Sequence, residues 1–243
     1  MYYSRQLNNY NLPVYGYHDK TGYNYLWNET KAKRGSNEIA SCVITYLDNL
    51  NEKRSFKTVR LLSDSCGGQN RNRQFMAMLW LAAHHFDFEE ICHGFFVRGH
   101  SQNESDSIHS RIEDASKHIN IDTTSQWATV IGGAKKIKPC YIIKEMVQEE
   151  FLNFKRMRNQ IPNMNKTVDR QKVKFTDIRM YAVHKGDPLV TIHNNLDQPA
   201  IQMNLFQTGK KILEMDVQMN LEPAYSRNLR IDTKKLSARK VVW

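Results

Sequence analysis

Several absences narrow what this chain can be. No apolar run approaches the roughly 20 residues that a helix needs to cross a bilayer, and the start does not read as a signal peptide. Cysteine is sparse: Cys42, Cys66, Cys92 and Cys140 are widely spaced, with no Cys-x-x-Cys. That argues against a disulfide framework and against a cysteine zinc ribbon. Isolated thiols with mostly apolar neighbours read instead as buried side chains of an intracellular, reducing compartment. There is no internal repeat and no low-complexity tract. P-loop, dinucleotide fingerprint, Gly-x-Ser-x-Gly and His-Glu-x-x-His motifs are all missing, which leaves the common nucleotide, hydrolase and zinc-protease chemistries without support. Acid is scarce relative to base. Across 243 residues, 25 Asp and Glu stand against 35 Lys and Arg, a net charge of +10. Such a balance favours a polyanionic partner, although it says nothing about fold.

What is present reads as alternating strands and helices. Residues 2–18 and 23–27 are rich in Tyr, Leu and Val and flank the turn His18-Asp19-Lys20-Thr21-Gly22, predicting an antiparallel hairpin. A basic loop, 31–35, leads to a helix over 37–50 with Ser36 as N-cap and Ile39, Cys42, Val43, Tyr46 and Leu50 on one face. A strand over 57–62 follows, then a helix over 73–86, a strand over 91–97 and a helix over 101–118. Past residue 120 the periodicity fades. A strand is expected over 140–143 and a helix over 143–158, with short strands near 176–183, 189–193 and 211–219. Two basic stretches stand out there, 155–174 and the last twenty residues. The expected division is a core over 1–120 and a basic C-terminal extension, helix plus short strands, over 121–243.

The stretch Ser63-Asp64-Ser65-Cys66-Gly67-Gly68-Gln69-Asn70-Arg71-Asn72 carries the clearest chemical signal. A carboxylate just past a buried strand is where α/β enzymes often hold a metal; it is also an ordinary place for a capping Asp in a turn. Glu38 in the first turn of one helix and Asp106 in the first turns of another could join Asp64 if the fold brought the three ends together. Two-metal phosphodiester chemistry needs that convergence. The bland alternatives are helix-dipole contacts for Glu38 and Asp106. Ser101-x-x-Glu104 matches a capping box, which leaves Asp106 uncommitted on the polar face beside His109 and Glu113. His100, just before this helix, could shuttle a proton or could be plain surface. His84, His85 and His93 lie in or beside apolar segments and read as packed.

The element order, with Glu38, Asp64 and Asp106 at these places, resembles the ribonuclease H-like fold. Ser63-Asp64-Ser65-Cys66-Gly67 resembles the turn that carries the second Asp of integrases and transposases. Asn103-Glu104-Ser105-Asp106 resembles the opening of the last helix of mariner-like transposases. The set Tyr3-x-Arg5-Gln6-Leu7, Trp27-x-Glu29, Arg34-Gly35-Ser36-x-Glu38-Ile39-Ala40-Ser41-Cys42, Ser63-Asp64-x-Cys66-x-Gly68-Gln69-Asn70-Arg71-Asn72 and Gly99-His100-Ser101-x-x-x-x-Asp106 looks like an uncharacterised, mobile-element-derived domain family of animal genomes. The resemblance implies an α/β fold with a ribonuclease H-like mixed sheet flanked by helices and a small β-rich C-terminal region. It implies metal-dependent nuclease or transposase ancestry, with Mg²⁺ or Mn²⁺ on Glu38, Asp64 and Asp106. It also implies nucleic acid as partner, DNA rather than RNA, and nuclear action if so. Arg71, Arg73, Lys155, Arg156 and Arg158 are the expected phosphate contacts. In such domains a first-strand Asp lies upstream of the Tyr-x-Arg-Gln-Leu segment, so the N-terminus is expected to be truncated. Asp19 in the hairpin turn is a poor substitute. Loss of that ligand would weaken or abolish two-metal catalysis, which makes an inactive descendant that binds nucleic acid or protein the alternative expectation.

Overall fold

The computed structural model describes residues 7–97, 103–213 and 221–231. Contacts divide the chain into two units built from discontinuous segments. One takes residues 1–34, 102–151 and 225–243; the other takes 35–101 and 152–224. Segments from 1–120 and from 121–243 therefore enter both. The architecture is mixed α/β, with mixed sheets flanked by helices, and no described helix is long and apolar enough to cross a membrane.

In the first unit, β1 (Asn9–Gly16) and β2 (Thr21–Asn28) form the expected antiparallel hairpin. Asp19 closes its turn by accepting from the Thr21 amide at 3.1 Å, and Lys20 takes the left-handed conformation, φ 56°. The strand β5 (Ile142–Glu145) adds to β2 in parallel, opposite Tyr23–Leu26. The strand expected over 140–143 is present but runs later, and the helix expected over 143–158 is cut back: β-branched Ile143 stays in the sheet, a single 3-10 turn covers Gln148–Glu150, and α-helix is confined to Phe154–Arg158, α5 in chain order. Against the sheet lie α3 (Glu104–Ser116) and α4 (Thr124–Gly133). Leu26, Ile108, Ile112, Ile131 and Tyr141 form the shared core. Gly22 is required by close approach, since a Cβ there would lie 2.8 Å from Ile108 and 2.9 Å from Tyr141. The α4 helix, which the faded periodicity gives no sign of, did carry one readable mark: Thr123 and Gln126 form a reciprocal capping box.

In the second unit, α1 (Ser36–Glu52) precedes β3 (Thr58–Ser63), α2 (Arg73–His85) and β4 (Glu90–Phe95). The strands β3 and β4 are parallel and joined through α2, as β-α-β units are. The sheet then continues antiparallel through β6 (Met180–His184), β7 (Leu189–His193) and β8 (Ile201–Asn204), in the order β3-β4-β6-β7-β8. A two-stranded ladder, β9 (Gln207–Thr208) with β10 (Lys211–Ile212), completes the described strands; the expected strand over 211–219 otherwise lies outside the described residues. Every residue of α2 from Phe75 to Ala83 is buried, so this helix is a core element rather than an amphipathic surface one. Of the four thiols, all free, Cys42 and Cys92 are buried as expected, but Cys66 is half-buried and Cys140 is exposed. Burial pushes the Cys92 thiol up to about 12.

His93 on β4 is fully enclosed, between Phe75, Phe95 and Tyr181. Its ring nitrogens meet the Ser63 hydroxyl at 2.9 Å and the Tyr181 hydroxyl at 3.0 Å. Burial holds its pKa down at about 3, against an ordinary 6.5. The unfolded chain therefore takes up the proton first. Stability is full above pH 6.5 and falls as the pH drops towards 3, by up to about 1.4 kcal/mol per pH unit. Urea denaturation at several pH values should show this slope, and His93→Asn should flatten it within that window.

Candidate functional site

The site is built on the loop that follows β3. Ser63 ends the strand, and the exposed Asp64 after it accepts from the Asn70 side-chain Nδ2 at 2.7 Å. The amides of Gln69, Asn70 and Arg71 all donate to the Cys66 carbonyl, at 3.1, 3.0 and 3.0 Å, which folds Gly67 and Gly68 out to the surface. A Cβ on either glycine would meet nothing within 4 Å, so their backbone stays open to approach. Asn72 then caps α2. Its Oδ1 accepts from the Phe75 amide and the Ser36 hydroxyl, each at 3.0 Å, while its Nδ2 donates to the Gly67 carbonyl. One side chain thus ties the loop to the starts of both α1 and α2.

That tie explains why Ser36 is not the N-cap. Its hydroxyl is committed to Asn72, Ser36 is the first helical residue, and Gly35 occupies the cap with no side-chain bond. Asn37 adds to the junction by accepting from the Gln74 side chain and from the Lys155 amide at the start of α5. The N-termini of two long helices therefore open on one place, each with amide donors and the positive end of a dipole.

The opposite wall is residues 159–179, irregular but tightly bonded. Buried Asn163 donates to the Lys166 and Asn204 carbonyls and accepts from the Asn165 and Lys166 amides. Thr167 closes a turn by accepting from the Gln171 amide, with Arg170 at φ 67°. The wall is attached to the loop by Arg71. Its guanidinium donates to the carbonyls of Phe175 (2.9 Å), Thr176 (2.5 Å) and Ile178 (2.6 Å) and lies over the Phe95 ring, 5.0 Å from its centroid. Arg73 lies over the Phe175 ring at 5.8 Å, and its buried Nε has no hydrogen-bond partner.

Between loop and wall is a cleft of about 600 Å³. Arg71, Arg73, Lys155, Arg158, Lys172 and Lys174 line it, and among the described residues no carboxylate does. Four of the five cations expected to contact phosphates are thus brought together within one unit. The fifth, Arg156, is spent on an ion pair with Glu222. Lys172 and Lys174 belong to the basic stretch 155–174 but had no individual mark in the sequence. Arg71 lines the cleft while its own donors are turned to the wall, so its work there is structural.

The three carboxylates are placed differently from one another. Glu38 is buried at N3 of α1 and accepts from the Gly35 amide at 2.8 Å. Asp106 belongs to the other unit, exposed at N3 of α3, and accepts from the Asn103 amide at 3.0 Å. This reverses the expected division of labour on α3. The helix begins at Glu104 with Asn103 as N-cap, so the reciprocal acid falls at 106 and Asp106 has the capping duty that the sequence pattern assigned to Glu104. Asp64 alone is exposed with a single described bond from a side chain. His100 lies outside the described residues. Among the described residues, no three His, Cys, Asp or Glu side chains gather as a metal-ligand group.

Comparison with known proteins gives one match. Residues 13–185 fit the sequence profile of a family described as Domain of unknown function (DUF7869). No curated protein and no solved structure shows significant similarity to the chain.

Arg71→Ala should cost about 2–4 kcal/mol, because three carbonyls lose a charged donor together. Arg71→Lys should recover only part, since an ammonium cannot reproduce the planar fork. Urea denaturation monitored by tryptophan fluorescence checks both.

Proposed function

This chain belongs to the DUF7869 family, a domain of unknown function, and we propose that it binds nucleic acid through the phosphate backbone, using the cleft of its second unit. One observation carries the reading: six cations and two helix N-termini line a single concavity that has no acid among its described lining residues. Phosphate oxygens are the ligands that such a surface is built to hold. The free charges on this account are Arg73, Lys155, Arg158, Lys172 and Lys174, with Arg71 holding the wall to which the last two belong. DNA is the expected form, and a nuclear location follows if that is so.

The order α1 with Glu38, β3, Asp64, α2, β4 and α3 with Asp106 supports a ribonuclease H-like, mobile-element-derived ancestry, and with it an ancestral polynucleotidyl transferase or nuclease. The carboxylates fit a divalent cation poorly as they stand. Glu38 and Asp106 each commit an oxygen to a helix cap, and two-metal chemistry needs carboxylates shared between two ions about 3.5–4 Å apart. No reaction step is therefore assigned to Mg²⁺ or Mn²⁺, and the reading preferred for this chain is a binding domain descended from an enzyme.

Fluorescence anisotropy with a labelled oligonucleotide tests the proposal. Binding should weaken as salt rises, and Lys172→Ala with Lys174→Ala should reduce the slope of log K against log salt by about 1.4–1.8, two contacts' worth. Salt-insensitive binding, or none, would sink the idea. Mg²⁺- or Mn²⁺-dependent cleavage that is lost in Asp64→Asn would instead restore the catalytic reading and displace the binding-only one.

A further inference from the structure

We infer that the cleft seats a single strand of nucleic acid, stacking a base on the Arg73–Phe175 pile while the surrounding cations hold the flanking phosphates. This rests on the nucleic-acid reading above and narrows it to a substrate class.

Size is the first argument. About 600 Å³ lies within the range of pockets that enclose small ligands, and suits on the order of one or two nucleotides. A duplex, whose major groove alone is about 12 Å wide, is a poorer match for a space of this volume.

The lining chemistry is the second. Phosphate needs only charge and donors, yet the wall alternates cation with apolar side chain through Lys172-Val173-Lys174-Phe175. Val173 is buried and Phe175 is half-buried with the Arg73 guanidinium over its ring. A guanidinium set over an aromatic ring puts two flat groups at one spot, and unpaired bases are flat groups that stack on either.

Preorganisation is the third. Arg71 holds the Phe175, Thr176 and Ile178 carbonyls, so the stacking ring does not have to be ordered when a strand arrives. In a base-stacking groove with no base-edge hydrogen-bond pattern, sequence preference should be slight.

The test compares a labelled single strand of about 12 nucleotides with the duplex of the same sequence, by anisotropy on the full chain at two salt concentrations. The single strand should bind at least about tenfold tighter. Phe175→Leu, which keeps an apolar side chain but removes the ring, should weaken strand binding by roughly 5- to 100-fold, the cost of losing one stacked base, and leave duplex binding unchanged. Arg73→Lys keeps the charge and loses the plane; it should weaken strand binding more than duplex binding and serves if Phe175→Leu fails to fold. Duplex binding equal to or tighter than strand binding overturns the inference while leaving the phosphate-binding reading in place. So does full strand affinity in the folded Phe175→Leu or Arg73→Lys variant. Binding of neither form defeats both.

Discussion

The guanidinium of Arg71 is the constraint on which the site depends. Three carbonyls from Phe175, Thr176 and Ile178 converge on it, and its flat face rests on Phe95. Such carbonyls, on a segment without ladder or helix, would otherwise need water or remain unpaired. Drawing them onto one cation fixes the path of the chain into β6, sets the Phe175 ring where Arg73 can cover it, and brings Lys172 and Lys174 to the side of the cleft opposite the helix starts. A residue at the end of one loop therefore determines the shape of another about a hundred positions away.

Concentrating positive charge in this way has an electrostatic cost, and the surroundings show how it is offset. Arg71 is stabilised by carbonyl dipoles, and Arg73 by the quadrupole of an aromatic ring, while both keep their charge. Arg156, which would have added another cation, is turned onto Glu222. The remaining lysines reach solvent, where their mutual repulsion is screened. The same loop that builds this surface also carries Asp64, held by Asn70. Acid and base thus share one loop but face different tasks, Asp64 joined to its own loop and Arg71 to the wall.

Much of the local structure is legible in the sequence. The hairpin, α1, α2 and the strands β3 and β4 follow directly from alternation and helical spacing, whereas the burial of α2 on all sides from Phe75 to Ala83 does not. Ile142 falls in the strand expected of it, but Ile143 suits either the end of that strand or the start of a helix; the open edge of β2, which local sequence does not announce, carries the strand on to Glu145. The cap of α3 moved from Ser101 to Asn103 because both residues can cap, and each brings its own acid three positions later.

The sequence by itself determined the excess of base, the concentration of cations between 155 and 174 and the glycine-containing turn that follows Asp64. It also determined the order of helices and strands up to Asp106, which carries the resemblance. Charge, turn chemistry and periodicity are properties of residues and their near neighbours, so they can be read along the chain. Tertiary structure alone decided which cations share a concavity, that Arg71 braces it while Arg156 leaves it, and that Glu38 and Asp106 are committed to helix caps. Those outcomes depend on hydrogen bonds between residues far apart in sequence and on the residue at which a helix starts. Neither is set by any short stretch of the chain.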